Sequence, residues 1–75
     1  MSRGETEKME FGKRLRAIRM EKKKTQKQTA EMLEMKLRSY QTYEQGVREP
    51  SIKKLIVLAD FFDVTLDYLM GRTDS

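Results

Sequence analysis

The chain has 75 residues, with 16 Lys and Arg against 12 Asp and Glu, a net charge of +4, and neither Cys nor His. A chain this short forms one small domain that buries only roughly 60% of its unfolded surface. The missing Cys and His exclude disulfides, thiolate metal sites and the commonest general base, so we expect no metal, no cofactor and no enzyme activity. No apolar stretch approaches the length of a membrane span, which leads us to expect a soluble, cytoplasmic protein.

The N-terminal part of the chain predicts a tail followed by a helix. Residues 1–10 are polar, with three Glu, and favour a flexible tail in front of the folded domain. Phe11, Leu15 and Ile18 then recur at helical spacing, which places them on one face of a first helix that begins at Phe11. The folded domain is therefore predicted over residues 11–71.

Two short helices joined by a tight turn are predicted next. Thr25 offers a hydroxyl that can cap the first of them, over residues 26–33, and the second covers residues 37–45. Gly46 suits the left-handed backbone position that ends a helix. The side chains of these two helices that are predicted to face the core are Ala30, Leu33, Tyr40 and Tyr43.

Two further helices complete an all-α, five-helix fold. Pro50 ends the loop before them, because proline biases the preceding residue away from helix. Ser51 can cap the fourth helix and Thr65 a short fifth helix, which Gly71 stops, and residues 72–75 are predicted to be frayed. The inward side chains predicted for these helices are Ile52, Leu55, Ala59, Phe62, Leu66 and Leu69.

Positive charge is concentrated in the middle of the chain. Residues 11–50 hold eleven Lys or Arg against five Glu, a net charge of +6, whereas each end of the chain carries −1. This asymmetry suggests a polyanionic partner. A solvated cationic face that only aids solubility explains the charge equally well.

The predicted second and third helices form a helix-turn-helix unit. An α-helix is about as wide as the major groove of B-DNA, so the third helix can read bases if one side packs on the protein and the other stays free. Tyr40 and Tyr43 supply the inner side. The outer side is short on acids, as an approach to phosphate requires, and carries Lys36, Leu37, Arg38, Gln41 and Thr42.

Residues 11–71, about four-fifths of the chain, resemble the lambda-repressor/Cro-type helix-turn-helix family, also called the XRE family. The similar segments are FGKRLRAIR, TQKQTAEML, YQTYEQGVREPS and SIKKLIVLADFFDVTLDYLMG. The resemblance implies a five-helix, lambda-repressor-like domain. It also implies a homodimer that binds a palindromic operator in double-stranded DNA.

The resemblance further implies roles for individual residues. Gln26 matches the family glutamine that contacts phosphate at the start of the second helix, where free N–H groups attract anions. Arg38 has the geometry to pair with guanine and Gln41 with adenine, whereas Lys36 reads a base or only holds a phosphate. The positions implied to face bases are Lys36, Leu37, Arg38 and Thr42, with Gln41 close by. Those implied to face phosphates are Thr25, Gln26, Lys27, Gln45 and Arg48.

Arg19 and Glu44 match a family ion pair that joins the first helix to the third, and we assign them a structural role. Three positions depart from the family pattern. Glu34 stands in the turn where glycine is common, which predicts a mildly strained positive φ. Lys36 replaces the usual Ser or Thr cap of the third helix, and Thr29 replaces an apolar core residue.

These observations favour a sequence-specific DNA-binding transcriptional regulator, a repressor of phage or mobile-element type that occludes its operator. The alternative is a protein-interaction module that docks a toxin, an antirepressor or a polymerase subunit. A candidate dimer surface lies on the fourth and fifth helices, although its residues are as well explained as half-buried core. It consists of Val57, Phe61, Tyr68 and Met70. Nothing in the sequence indicates a small-molecule ligand.

Overall fold

The computed structural model describes residues 3–71, with side chains from residue 8 onward. Within this range the chain forms five helices and no strand, which confirms the predicted all-α fold. None of these helices is long and apolar enough to cross a bilayer. The predicted frayed end at residues 72–75 lies outside the described range. The helices are α1 (Arg3–Glu21), α2 (Gln26–Met32), α3 (Leu37–Glu44), α4 (Ile52–Phe62) and α5 (Leu66–Met70).

Helix α1 begins well before the predicted start at Phe11, so the predicted start is wrong. The helix already includes Arg3 and runs through most of the segment that was assigned to a tail. In this segment the backbone of Met9 packs on a distant glycine, Gly46, where an added Cβ would lie 3.0 Å from the Met9 Cα. Polar composition does not reveal such a contact. The flexibility predicted for residues 1–10 stays a prediction.

The predicted core is confirmed for most of its members, with two corrections on α4. Ile52 was predicted to face inward but is 65% exposed, whereas Leu58 is fully buried. Leu55, Leu58, Ala59 and Phe62 share one arc of the helix, and Ile52 sits in the first turn at the edge of that arc. The buried apolar side chains are Phe11, Leu15, Ile18, Ala30, Leu33, Tyr40, Tyr43, Leu55, Leu58, Ala59, Phe62 and Leu69.

The predicted helix caps are present in the structure. Thr25, Ser51 and Thr65 each precede a helix, and each side-chain oxygen accepts a hydrogen bond from a backbone N–H three residues later. These bonds satisfy donors that have no partner inside the helix. Gly46 and Gly71 lie after α3 and α5 with φ of +77°, a conformation that costs glycine little.

A second glycine contact sets the position of α1 against α3. Gly12 is buried on α1, and an added Cβ would stand 2.6 Å from the carbonyl oxygen of Glu44 and 2.8 Å from that of Tyr43. Any larger residue would push the two backbones apart. The close approach matters for function because Glu44 carries the ion pair described below.

Candidate nucleic-acid interface

The turn between α2 and α3 holds the second helix of the motif in place. Glu34 has a φ of +57°, which confirms the positive φ predicted for this position. For a residue with a Cβ this conformation costs about 1 kcal/mol or more. The Met35 N–H donates to the Ala30 carbonyl at 3.0 Å and closes the turn. Lys36 then begins α3 without a side-chain cap, as its replacement of Ser or Thr predicts.

Helix α3 is buried on one side and open on the other. Tyr40 and Tyr43 are buried, and their rings meet edge to face with centroids 6.2 Å apart. Packing of this kind fixes the rotation of the helix about its axis. At the N-terminal end of the helix the side chains of Lys36, Leu37 and Arg38 are exposed to solvent, and Arg38 lies opposite the two tyrosines.

The five side chains predicted to face bases therefore fall into two groups. Lys36, Leu37 and Arg38 are free to meet a partner, whereas Gln41 and Thr42 are half-buried. The Thr42 hydroxyl donates to the Ser39 carbonyl at 2.6 Å, so its proton is already used within the helix. Gln41 is held by a hydrogen bond to another side chain, described below.

Only two of the residues predicted to face phosphates lie in one cleft, which borders the C-terminal end of α3. Gln26 and Gln45 line one shallow cleft, together with Arg16, Arg19 and Glu44. Arg16 was not predicted as a site residue. It lies in the same cleft as Gln26 because α1 crosses α3 there. The other predicted phosphate-facing side chains, all exposed and none of them in this cleft, are Thr25, Lys27 and Arg48.

An ion pair at the floor of this cleft joins α1 to α3. Arg19 Nε donates to Glu44 Oε2 at 2.6 Å and Arg19 Nη2 to Glu44 Oε1 at 3.3 Å. The two side chains are 11% and 4% exposed. Arg19 Nη1 also donates to the Lys24 carbonyl at 2.8 Å, at the end of α1. The geometry fits the structural role predicted for the pair.

The charges of this pair are stabilised by their surroundings. Burial raises the pKa of Glu44, but hydrogen bonds from Arg19, Tyr40 and Gln26 outweigh it and hold that pKa below its usual 4.5. The hydrogen bond to Glu44 raises the pKa of Arg19, and burial together with the same carboxylate raises that of Tyr40. Glu44 is therefore an acceptor-only carboxylate at neutral pH, as the three donors around it require.

Two glutamines extend the network from Glu44 to the surface of α3. Gln26 Nε2 donates to Glu44 Oε1 at 3.1 Å. Gln41 Nε2 in turn donates to Gln26 Oε1 at 3.1 Å. One predicted phosphate-facing residue and one predicted base-facing residue are thus bonded to each other and, through Glu44, to the core.

The candidate dimer residues do not form one uniformly exposed patch. Val57 and Met70 are 39% and 41% exposed, whereas Phe61 and Tyr68 are half-buried and pack against the core. The Lys24 ammonium lies over the Phe61 ring, 5.3 Å from its centre, and so covers part of Phe61. The sequence left open whether these residues form a dimer surface or are half-buried core. Phe61 and Tyr68 are half-buried.

A different apolar pair on α4 is more exposed. Ile52 and Ile56, one turn apart, are 65% and 47% exposed, and Val47 in the preceding loop is 61% exposed. The sequence pattern does not indicate this pair, because helical spacing places Ile52 on the same face as Leu55 and Ala59. Among the side chains of residues 8–71, no three His, Cys, Asp or Glu group closely enough to hold a metal ion.

Comparison with known proteins matches this architecture to a family. Residues 15–69 match the family model described as Helix-turn-helix. The chain is 40% identical over 65 residues to the HTH-type transcriptional regulator YobD of Bacillus subtilis, covering 87% of this chain and 58% of YobD. It is 42% identical over 59 residues to the HTH-type transcriptional regulator AnsR of the same bacterium, covering 79% and 51%.

A phage protein is also similar. Over 64 residues the chain is 36% identical to the cryptic phage CTXphi transcriptional repressor RstR of Vibrio cholerae, covering 85% of this chain and 57% of RstR. The chain thus spans between about half and three-fifths of the length of these curated relatives. The family match covers α2 to α5 and most of the packed part of α1. The chain therefore belongs to the XRE-type helix-turn-helix family, as its sequence predicted.

Proposed function

We propose that the chain is a sequence-specific double-stranded DNA-binding transcriptional regulator that acts in the cytoplasm. The observation that carries this proposal is the exposed N-terminal end of α3, with Lys36, Leu37 and Arg38 held outward by the buried Tyr40 and Tyr43. The first residues of such a helix are the ones that contact base edges in the major groove. The proposal assigns no catalytic activity to the chain.

Base reading would depend chiefly on Arg38. Its guanidinium can donate two parallel hydrogen bonds to guanine O6 and N7, a contact worth about 1–3 kcal/mol of discrimination. Leu37 offers apolar contact of the kind that the thymine methyl group accepts. Lys36 is a mobile point charge without a fixed donor geometry, which suits a phosphate as well as a base.

Phosphate contacts would position α3 in the groove. Gln26, Gln45 and Arg16 line one cleft beside α3, while Lys27 and Arg48 are exposed outside it. Thr25 places its hydroxyl at the start of α2. The net charge of +6 on residues 11–50 supports the same interpretation, because neutralising phosphates releases counterions and supplies much of the affinity.

We further propose a homodimer on a palindromic operator. The folded chain measures 32 × 28 × 21 Å, so two copies side by side can separate equivalent points by about 34 Å, one turn of B-DNA. The contact surface between the two copies would come from the exposed members of the predicted set, Val57 and Met70, with the half-buried Phe61 and Tyr68 beneath them. The exposed Ile52 and Ile56 on α4 are a competing surface.

The proposed regulatory mechanism is repression by occlusion of the operator. A dimer with two helices in successive major grooves covers the DNA that a polymerase needs. The relative named as a phage transcriptional repressor supports the phage or mobile-element type of this proposal.

Paired substitutions separate base reading from phosphate anchoring. Arg38→Ala should relax the preference at one base position of each half-site and cost about 1–3 kcal/mol of discrimination there. Lys27→Ala should weaken binding to all sequences about equally. It should also reduce the slope of log affinity against log salt concentration by about one per half-site. Both are measured as affinities for a panel of duplexes with single base changes, across a salt series. A uniform loss for both variants would reject α3 as the reader.

A protein-interaction module is the second candidate function. The exposed apolar side chains Val47, Ile52 and Ile56 are the observation that favours it. A salt titration of duplex binding separates the two candidates, because only a DNA reader retains a preferred site at moderate salt. If every duplex dissociates at the same salt concentration, the interaction module becomes the better explanation.

A further inference from the structure

We propose that Gln41 acts on DNA through Gln26: it is a positioning residue that fixes the Gln26 amide for a phosphate, and not a base reader. This inference rests on the proposed function, and it revises the role that the family resemblance implies for Gln41.

Glu44 determines which way the Gln26 amide faces. The Glu44 carboxylate is 4% exposed and accepts hydrogen bonds from Arg19 and from the Tyr40 hydroxyl. Such a group accepts but does not donate. Only the NH₂ side of the Gln26 amide can therefore face it, at the observed 3.1 Å.

The direction of the Gln26 amide then determines that of Gln41. With its NH₂ group on Glu44, Gln26 presents its Oε1 atom on the other side, and this oxygen needs a donor. Gln41 Nε2 supplies one at 3.1 Å. Reversing either amide would place two donors or two acceptors face to face, so the chain of bonds has one consistent direction.

The arrangement leaves one N–H of Gln26 for a partner outside the protein. Its Nε2 carries two hydrogens, and Glu44 accepts only one of them. Gln26 is the first residue of α2 and lines the cleft beside Arg16 and Gln45, where a phosphate would be held. Gln41, in contrast, is half-buried one turn further along α3 than the exposed Leu37. Its contribution is to keep the Gln26 amide from rotating.

A double-mutant cycle tests this assignment on the duplex consensus that the wild-type protein selects from a random pool. Gln26→Ala should weaken binding roughly tenfold or more, as the loss of one hydrogen bond to a charged group does. Gln41→Ala should weaken it by about 3- to 10-fold, with the base preference unchanged at every position. The double variant should bind within about twofold of Gln26→Ala alone, because Gln41 has nothing left to position.

Arg38→Ala is the comparison variant. Arg38 is proposed to contact bases independently of Gln26. The fold loss of affinity caused by Arg38→Ala should therefore multiply with that caused by Gln26→Ala in the double variant. Thermal unfolding of each variant shows whether the fold is intact at the temperature of the binding measurement. If Gln41→Ala only damaged the fold, its unfolding temperature would fall. Its loss of DNA affinity would then still be present when Gln26 is also replaced.

The outcomes distinguish this inference from the proposed function. If Gln41→Ala removes the preference at one base position, or if its penalty multiplies with that of Gln26→Ala, only the positioning role is overturned. If Gln26→Ala binds like the wild type, the phosphate anchor and the positioning role both fail. If the wild-type protein selects no consensus, the proposed function fails. The same cycle is then measured on random duplex. The positioning role is retained if the double variant binds random duplex like Gln26→Ala alone, and is overturned if the two penalties multiply.

Discussion

Glu44 is the residue on which most of the site depends. It accepts hydrogen bonds from α1, from the start of α2 and from its own helix, through Arg19, Gln26 and Tyr40. A buried carboxylate is costly unless such donors compensate it. Because these donors come from three helices, the carboxylate sets how the helices stand relative to each other and therefore how α3 is presented.

We expect Glu44→Gln to lower the free energy of unfolding by about 3 kcal/mol at neutral pH, because it leaves the Arg19 charge without a counter-charge. The pKa of Glu44 is lowered in the folded state, so its stabilisation is present above the unfolded value of 4.5 and lost as the pH falls through the folded value. The difference between wild type and variant should therefore shrink below about pH 4.5. Urea unfolding of both proteins between about pH 3 and pH 7 measures it.

Glu31→Gln provides the matched control for this prediction. Glu31 is an exposed carboxylate on α2, so its variant should follow the wild type across the same pH range. If the wild type and Glu44→Gln differ by the same free energy at all these pH values, the buried carboxylate does not contribute in the way described here.

Some of these residue roles could be predicted from the sequence and others could not. The Arg19–Glu44 pair follows from the family resemblance. The bond between Gln26 and Gln41 does not, because it depends on the rotamers of two flexible amides that a buried carboxylate orders. Arg16 looks like any basic surface residue until the crossing of α1 and α3 brings it to the cleft.

Among the elements, helix ends were more predictable than helix contacts. The caps Thr25, Ser51 and Thr65 can be recognised from neighbouring residues alone, and all three are present. The close approaches at Gly12 and Gly46 join segments more than thirty residues apart, so no local pattern reports them. The contact of Gly46 with Met9 and that of Gly12 with the end of α3 were missed for this reason.

The turn between α2 and α3 offers a test of stored backbone strain. We expect Glu34→Gly to raise the free energy of unfolding by about 0.5–1 kcal/mol. Glycine removes the cost of the positive φ of +57°, and its greater freedom in the unfolded chain offsets part of this gain. Thermal unfolding followed by circular dichroism measures the change.

The same substitution three residues earlier is the control. Glu31 lies inside α2, so Glu31→Gly should instead lower stability by about 1 kcal/mol. Opposite signs for the two variants would support strain at Glu34. Equal losses would show that the turn tolerates glutamate without cost.

At the scale of the whole molecule, the central property is the separation of charge from core. Within residues 8–71 twelve buried apolar side chains form one core, while residues 11–50 carry a net charge of +6. A domain this small has a free energy of unfolding of only a few kcal/mol. The hydrogen-bond network around the buried Glu44 carboxylate therefore contributes a large share of that free energy. The family could be predicted from the sequence because four segments of the chain resemble it, and the caps and core spacing agree with the same five-helix fold. Which apolar side chains of α4 are exposed could not be predicted, because their exposure depends on packing.

Selection of bound sites from a random duplex pool at moderate salt tests the central claim most directly, that exposed side chains of α3 read double-stranded DNA as a symmetric pair. We expect a consensus with two-fold symmetry and half-sites about 10 base pairs apart, centre to centre. We also expect that Arg38→Ala loses the preference at one position of each half-site. Recovery of random sequence, with no position enriched, would contradict the account.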